Sequence, residues 1–155
     1  MKKIGIIGAM ELEVEELKSQ MEEVCVKEKA SMEFYQGTLN GKEVVVVRSG
    51  IGKVNAAVCT QILVDDFQAE AVINTGIAGS LKAEINIGDI VVSTDALQHD
   101  MDAREFGYPK GQIPQMNVFS FKADETLRKV AVECCKKANP DIQVIEGRVV
   151  SGDQF

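Results

Sequence analysis

The sequence holds a single histidine, His99, and no two cysteines at C-x-x-C spacing. Cys25, Cys59 and the adjacent Cys134 and Cys135 cannot complete a Cys/His zinc set of usual spacing, so no metal is expected. Their scatter suits reduced, structural thiols in a cytosolic protein. Basic charge is also short: 17 Lys and Arg stand against 24 Asp and Glu, a net charge of -7. Nucleic acid and anionic membrane surfaces both demand a basic footprint, so neither is an expected partner. No apolar run is long enough to span a bilayer. The N-terminus enters a strand with no basic start, apolar core and small-residue cleavage site, so the expected compartment is the cytoplasm.

What is present suits one globular domain. The 155 residues are 45% hydrophobic and 26% charged, enough to bury a core. Ile4 to Ile7 reads as a buried parallel strand broken by the small turn Gly8-Ala9. A helical stripe is read from Glu11 to about Val24, through Leu12, Val14, Leu17, Met21 and Val24. Residues Glu33 to Leu39 alternate as a strand, Asn40-Gly41 is a hairpin turn, and Glu43 to Arg48 is a buried strand. A glycine turn, Ser49 to Lys53, leads into a helix from Val54 to Leu63. Ala71 to Asn74 is a strand ending at Thr75-Gly76-Ile77-Ala78-Gly79-Ser80, and Asp89 to Ser93 is another. From Thr94 to Lys122 little periodicity is visible and a long functional loop is expected. Ala123 to Ala138 reads as a helix stopped by Asn139-Pro140, and Val144 to Ser151 as the last strand.

Alternating strands and helices define an α/β fold with a largely parallel central sheet, whose ligands sit beyond the carboxyl ends of the strands. Four strand ends carry special turns, at Gly8, Ser49, Thr75 and Ser151, and one pocket contacted by all four is the economical reading. A strand ending in a glycine turn normally hands on to a covering helix, so the chain is expected to be truncated after Phe155.

The first turn carries Glu11 and Glu13 where a phosphate cradle would place Lys or Arg. A carboxylate there repels phosphate and can act as a base toward water. Both glutamates could equally complement the positive N-terminus of the first helix. The three-glycine dinucleotide spacing is absent, and Ser49-Gly50-Ile51-Gly52-Lys53 lacks P-loop spacing. That turn is either a plain strand-to-helix connection or a ligand contact, with Lys53 read as a surface charge. His99-Asp100 has no nucleophile placed beside it and is read as structural. Phe106, Tyr108 and Pro114 form an apolar surface that suits a partner subunit or a ligand.

Five segments then occur in order: Ile-Gly-Ile-Ile-Gly-Ala-Met-Glu-Leu-Glu (4 to 13), Ser-Gly-Ile-Gly-Lys-Val-Asn-Ala-Ala (49 to 57), Asn-Thr-Gly-Ile-Ala-Gly-Ser (74 to 80), Gly-Asp-Ile-Val-Val-Ser (88 to 93) and Val-Ser-Gly-Asp-Gln-Phe (150 to 155). Together they resemble the bacterial 5'-methylthioadenosine/S-adenosylhomocysteine nucleosidases of the nucleoside phosphorylase superfamily, over essentially the whole chain. The resemblance implies a three-layer αβα fold with a mixed, largely parallel sheet, incomplete at the C-terminus, as a single domain over 1–155. It implies hydrolysis of the N-glycosidic bond of an adenine nucleoside with a 5'-thioether, in methionine salvage, with no cofactor or metal.

The roles follow from the same resemblance. Glu13 is the match for the base that deprotonates water. Met10 and Ile51 match apolar contacts to the ribose and 5'-alkylthio group, Ala78 and Gly79 lie in the loop lining the purine and ribose site, and Ala9 and Ile77 are further substrate-binding positions. Phe155 matches the aromatic stacked on adenine. Ala103, Phe106, Tyr108 and Pro114 fall where a homodimer partner caps the alkylthio pocket. Ile77 stands where many members carry serine. The pair that grips the ribose hydroxyls and the Asp that protonates the purine lie beyond Phe155, so this chain is expected to be inactive alone. The alternatives are a phosphorylase of the same fold and a non-catalytic nucleoside-binding module.

Overall fold

Val44 to Val47 run without interruption, and Ile4, Ile6 and Ile7 are parted only by Gly5; apolar β-branched segments of this kind are buried on both faces of a sheet. In the computed structural model, which describes residues 3–154, they form β1 (Ile4–Gly8) and β4 (Lys42–Arg48), paired in parallel from Ile4–Val44 to Gly8–Arg48. The chain divides into two compact units, one up to Ala78 and one from Gly79.

The first unit is a five-stranded mixed sheet in the order β2-β3-β4-β1-β5, where β2 is Glu22–Lys29, β3 is Met32–Leu39 and β5 is Ala71–Asn74. β4, β1 and β5 are parallel, and β2, β3 and β4 form an antiparallel meander. Asn40 and Gly41 both have positive φ, 48° and 72°, as the expected two-residue hairpin turn requires.

Alternate residues of these strands feed two apolar clusters, one on each face. Ile7, Phe34, Val45 and Val47 pack with Cys59, Ile62 and Leu63 of α2 (Lys53–Asp65). Ile6, Val44 and Val46 pack with Val14 and Met21, joined by the half-buried Leu17 of α1 (Glu15–Ser19). This unit is therefore helix, sheet and helix in three layers, as the α/β reading requires. The Cys59 thiol is fully buried, and that burial pushes its pKa up to about 11.

One expectation fails here. The helix read from Glu11 to Val24 is a single 3-10 turn (Glu11–Glu13) followed by the short α1, and Glu22 already begins β2. Met21 and Val24 happen to continue the helical spacing, but β2 is exposed along its length. Its pairing with β3 sets its conformation, and its charged side chains protect the sheet edge.

The second unit has a three-stranded sheet, β7-β6-β8, where β6 is Ile90–Gln98, β7 is Phe121–Lys122 and β8 is Val144–Ser151. β6 runs parallel to β8 and antiparallel to β7. Helix α3 (Glu125–Ala138) packs on β6 and β8, its N-terminus capped by Asp124 accepting from the Leu127 N–H at 2.8 Å. The loop read from Thr94 to Lys122 is shorter than expected, because β6 continues to Gln98 and β7 closes the far end. What sustains that extension is Asp95, whose carboxylate takes a bidentate pair from Arg148 on β8 and the Ser120 hydroxyl at 2.6 Å. These bonds hold the Asp95 pKa down at about 2.

Candidate functional site

The parallel strands β4, β1 and β5 lie side by side, so their carboxyl ends present three turns at one edge of the first unit. Backbone bonds tie the turns together: the Ser49 N–H donates to the Gly8 carbonyl and the Thr75 N–H to the Ile7 carbonyl, both at 2.9 Å. Ser49 is buried, and its hydroxyl donates to the Gly50 carbonyl at 2.8 Å. Asn55, in the first turn of α2, donates to the Ile51 carbonyl at 2.6 Å and braces the glycine turn after β4.

Glu13 is where two of these turns meet. Its Oε2 accepts the Met10 N–H at 2.9 Å, within the turn after β1. Its Oε1 accepts the Ile77 N–H at 3.0 Å, from the turn after β5. Each carboxylate oxygen thus carries one backbone donor and keeps further acceptor capacity. The side chain is half-buried, neighbouring Met10 is 37% exposed and Ile77 is 73% exposed, so the carboxylate sits at an open mouth.

The structure gives the two glutamates of this turn different partners. Glu11 is drawn into ion pairs with Lys18 at 2.7 Å and Arg48 at 3.8 Å. The Lys18 ammonium also lies over the Tyr35 ring, 4.4 Å from its centroid. Glu11 therefore anchors the turn, while the Glu13 carboxylate is held by two backbone N–H groups.

The remaining expected residues fall as follows. Ala9, Met10, Ile51, Ile77 and Ala78 belong to the three turns of the first unit, with Ile51 exposed beside Gly50. Gly79 begins the second unit. In that unit Ala103 is buried, and its carbonyl accepts the N–H groups of Phe106 and Tyr108 at 3.0 and 3.3 Å. Phe106 is 80% exposed. The Tyr108 hydroxyl accepts from the Gln115 N–H at 3.1 Å, next to half-buried Pro114. Phe155 lies outside the described residues.

His99 and Asp100 have a structural task, as the sequence suggested. The Asp100 carboxylate accepts the Asp153 N–H at 2.8 Å, and the His99 N–H donates to the Ser151 carbonyl at 3.0 Å. Together they shape the Ser151-Gly152-Asp153 turn. Sequence reasoning did not single out Gly8 and Gly76 as neighbours of Glu13; only their small size in the quoted turns hinted at it.

The chain belongs to the phosphorylase superfamily, whose family model matches residues 3–155. It is 47% identical over 155 residues to the 5'-methylthioadenosine/S-adenosylhomocysteine nucleosidase of Halalkalibacterium halodurans, covering 100% of this chain and 66% of that protein. The protein of the same name from a Geobacillus species is 48% identical over 153 residues, covering 99% of this chain and 65% of the relative. The chain thus spans just under two thirds of these curated relatives. Among solved structures, the nucleosidase of Colwellia psychrerythraea in complex with adenine superposes with a TM-score of 0.95 at 44% identity, covering 99% of this chain and 63% of that one. That of Neisseria meningitidis in complex with methylthio-immucillin-A gives 0.94 at 41% identity, covering 100% and 66%.

Proposed function

We propose that the protein containing this chain hydrolyses the N-glycosidic bond of 5'-methylthioadenosine and S-adenosylhomocysteine, releasing adenine. The observation that carries the reading is the Glu13 carboxylate, held by the Met10 and Ile77 N–H groups at the carboxyl ends of parallel strands. Fixed donors orient the carboxylate and leave lone pairs for a water molecule. Glu13 takes a proton from that water as its oxygen bonds to the anomeric carbon. The C–N bond breaks with its electron pair passing to the purine, through an oxocarbenium-like sugar. The relatives named above, with adenine or a nucleoside analogue bound in their structures, support the substrate class.

In this reading Met10 and Ile51 face the ribose and alkylthio group, Ala9, Ile77, Ala78 and Gly79 line the nucleoside site, and Phe155 stacks on adenine. Residues 1–155 then belong to one nucleosidase domain. Ala103, Phe106, Tyr108 and Pro114 cap the site of a partner subunit in a homodimer, and the 80% exposure of Phe106 suits that role. The enzyme works in the cytoplasm, in methionine salvage.

The test is adenine release from 5'-methylthioadenosine by the full-length protein, with and without phosphate. Phosphate-independent release is expected. Release only with phosphate moves the assignment to a phosphorylase, and binding without release moves it to a nucleoside-binding module.

A further inference from the structure

Glycine at a given position answers one of two needs, an unusual backbone angle or a lack of space. The described glycines with positive φ are Gly41, Gly50, Gly52, Gly88, Gly107 and Gly111. Gly8 and Gly76 are not among them, so their backbone would admit other residues. Space is what excludes a side chain. A Cβ built at Gly76 would stand 2.5 Å from Oε1 of Glu13, 2.9 Å from its Cδ and 3.3 Å from its Oε2. Its three nearest neighbours are all atoms of the Glu13 carboxyl group, although Gly76 itself is exposed. A Cβ at Gly8 would stand 2.7 Å from Cγ1 of Val14, 3.0 Å from Cβ of Glu13 and 3.4 Å from Oε2.

We infer that Gly8 and Gly76 are the two walls of a slot that seats the Glu13 side chain, and that Gly76 is a positioning residue for the proposed hydrolysis. The inference rests on the reading of Glu13 as the base and adds what holds that base in place. The carboxylate cannot simply swing aside, because its oxygens accept the Met10 and Ile77 N–H groups and any rotation away from a new methyl gives up one or both. A methyl at position 76 also pushes the Ile77 amide back from Oε1. A reacting group displaced by about an ångström loses roughly a hundredfold in rate.

The experiment uses the full-length protein with 5'-methylthioadenosine in phosphate-free buffer. Gly76→Ala is expected to lower kcat about a hundredfold while KM stays within about threefold, since the lost interaction orients the base and does not hold substrate. Glu13→Asp withdraws the carboxylate by one methylene, so in the Gly76→Ala background it is expected to add less than about a tenfold further loss. Losses that multiply in full, or a Gly76→Ala variant with unchanged kcat, would overturn the slot. A second measurement stands apart from catalysis and from the folding of the glycine variant. Hydrogen exchange at the Ile77 amide is expected to be at least tenfold faster in Glu13→Ala than in the parent, because an exposed amide loses its acceptor. Unchanged exchange would also overturn the proposal. Should Glu13→Gln keep full turnover while the Ile77 amide responds as expected, the reading of Glu13 as the base fails and the slot stands.

Discussion

Two glutamates two residues apart do different work because their partners differ. Glu11 meets Lys18, whose side chain is only 9% exposed, and Arg48, so its charge is balanced by cations. Glu13 meets backbone N–H groups, which orient a carboxylate without committing it to a cation. Glu11→Gln is therefore expected to leave kcat within about threefold and to cost up to about 1 kcal/mol of stability, as a partly exposed pair does. Parallel denaturant titration and steady-state kinetics in the full-length protein check both halves. A hundredfold fall in kcat for Glu11→Gln would move the base assignment to Glu11. Spacing in the sequence could not separate the two residues, because the distinction depends on which side chains and amides the fold brings near. The residues alone showed only the unusual presence of acid in that turn, and it was the family resemblance that pointed to Glu13.

At the level of elements, most of the first unit was legible because strand burial writes itself as runs of Val and Ile. β1, β4 and β5 and the Asn40-Gly41 hairpin stand where the pattern puts them. β2 was not legible, since an exposed edge strand has no apolar alternation to betray it and Glu22 to Lys29 is mostly charged. The continuation of β6 was hidden for another reason: it depends on Asp95 meeting Arg148, residues 53 positions apart.

That pair carries a pH signature. Its bonds lower the Asp95 pKa from 3.8 to about 2, so the associated stability is complete above the ordinary value and is lost as pH falls through about 2. Asp102 is lowered to about 2 in the same way by Arg104, two residues along. Arg148→Met should therefore flatten, without abolishing, the fall in melting temperature between the ordinary carboxylate pKa of 3.8 and about 2. A series of thermal melts through that window reads the slope, and an unaltered slope would show that Asp95 contributes nothing there. In the apolar cluster beneath α2, Phe34 is fully buried and stacks on Phe67 with ring centroids 4.9 Å apart. Phe34→Ala is expected to cost about 3–5 kcal/mol, measured as a lower denaturant midpoint at unchanged slope.

Across the whole molecule, burial is uneven. The first unit has an apolar cluster on each face of its sheet, whereas Ala103 is the one buried hydrophobic residue among the described residues of the second. Val72 and Ile73 of β5 are 36% and 39% exposed, and Ile87, Leu81 and Phe106 are far more so. Apolar surface of this extent suits further covering by protein, in keeping with a chain that spans just under two thirds of its curated relatives. No described helix is long and apolar enough to cross a membrane. The sequence could place the site-bearing turns because each is a local string of small residues. It could not show the slot around Glu13, which is assembled from residues 8, 13 and 76.

The buried Cys59 sulfur gives the protein an internal clock for its own opening. Cys25 and Cys134 are exposed and Cys135 half-exposed, so a thiol reagent reaches those positions in the folded protein. Cys59 has no exposed surface and stays protonated at neutral pH, so it can be marked only when α2 lifts from the strands beneath it. The slow step in labelling therefore times how often that half of the molecule breathes, with no probe added to the sequence.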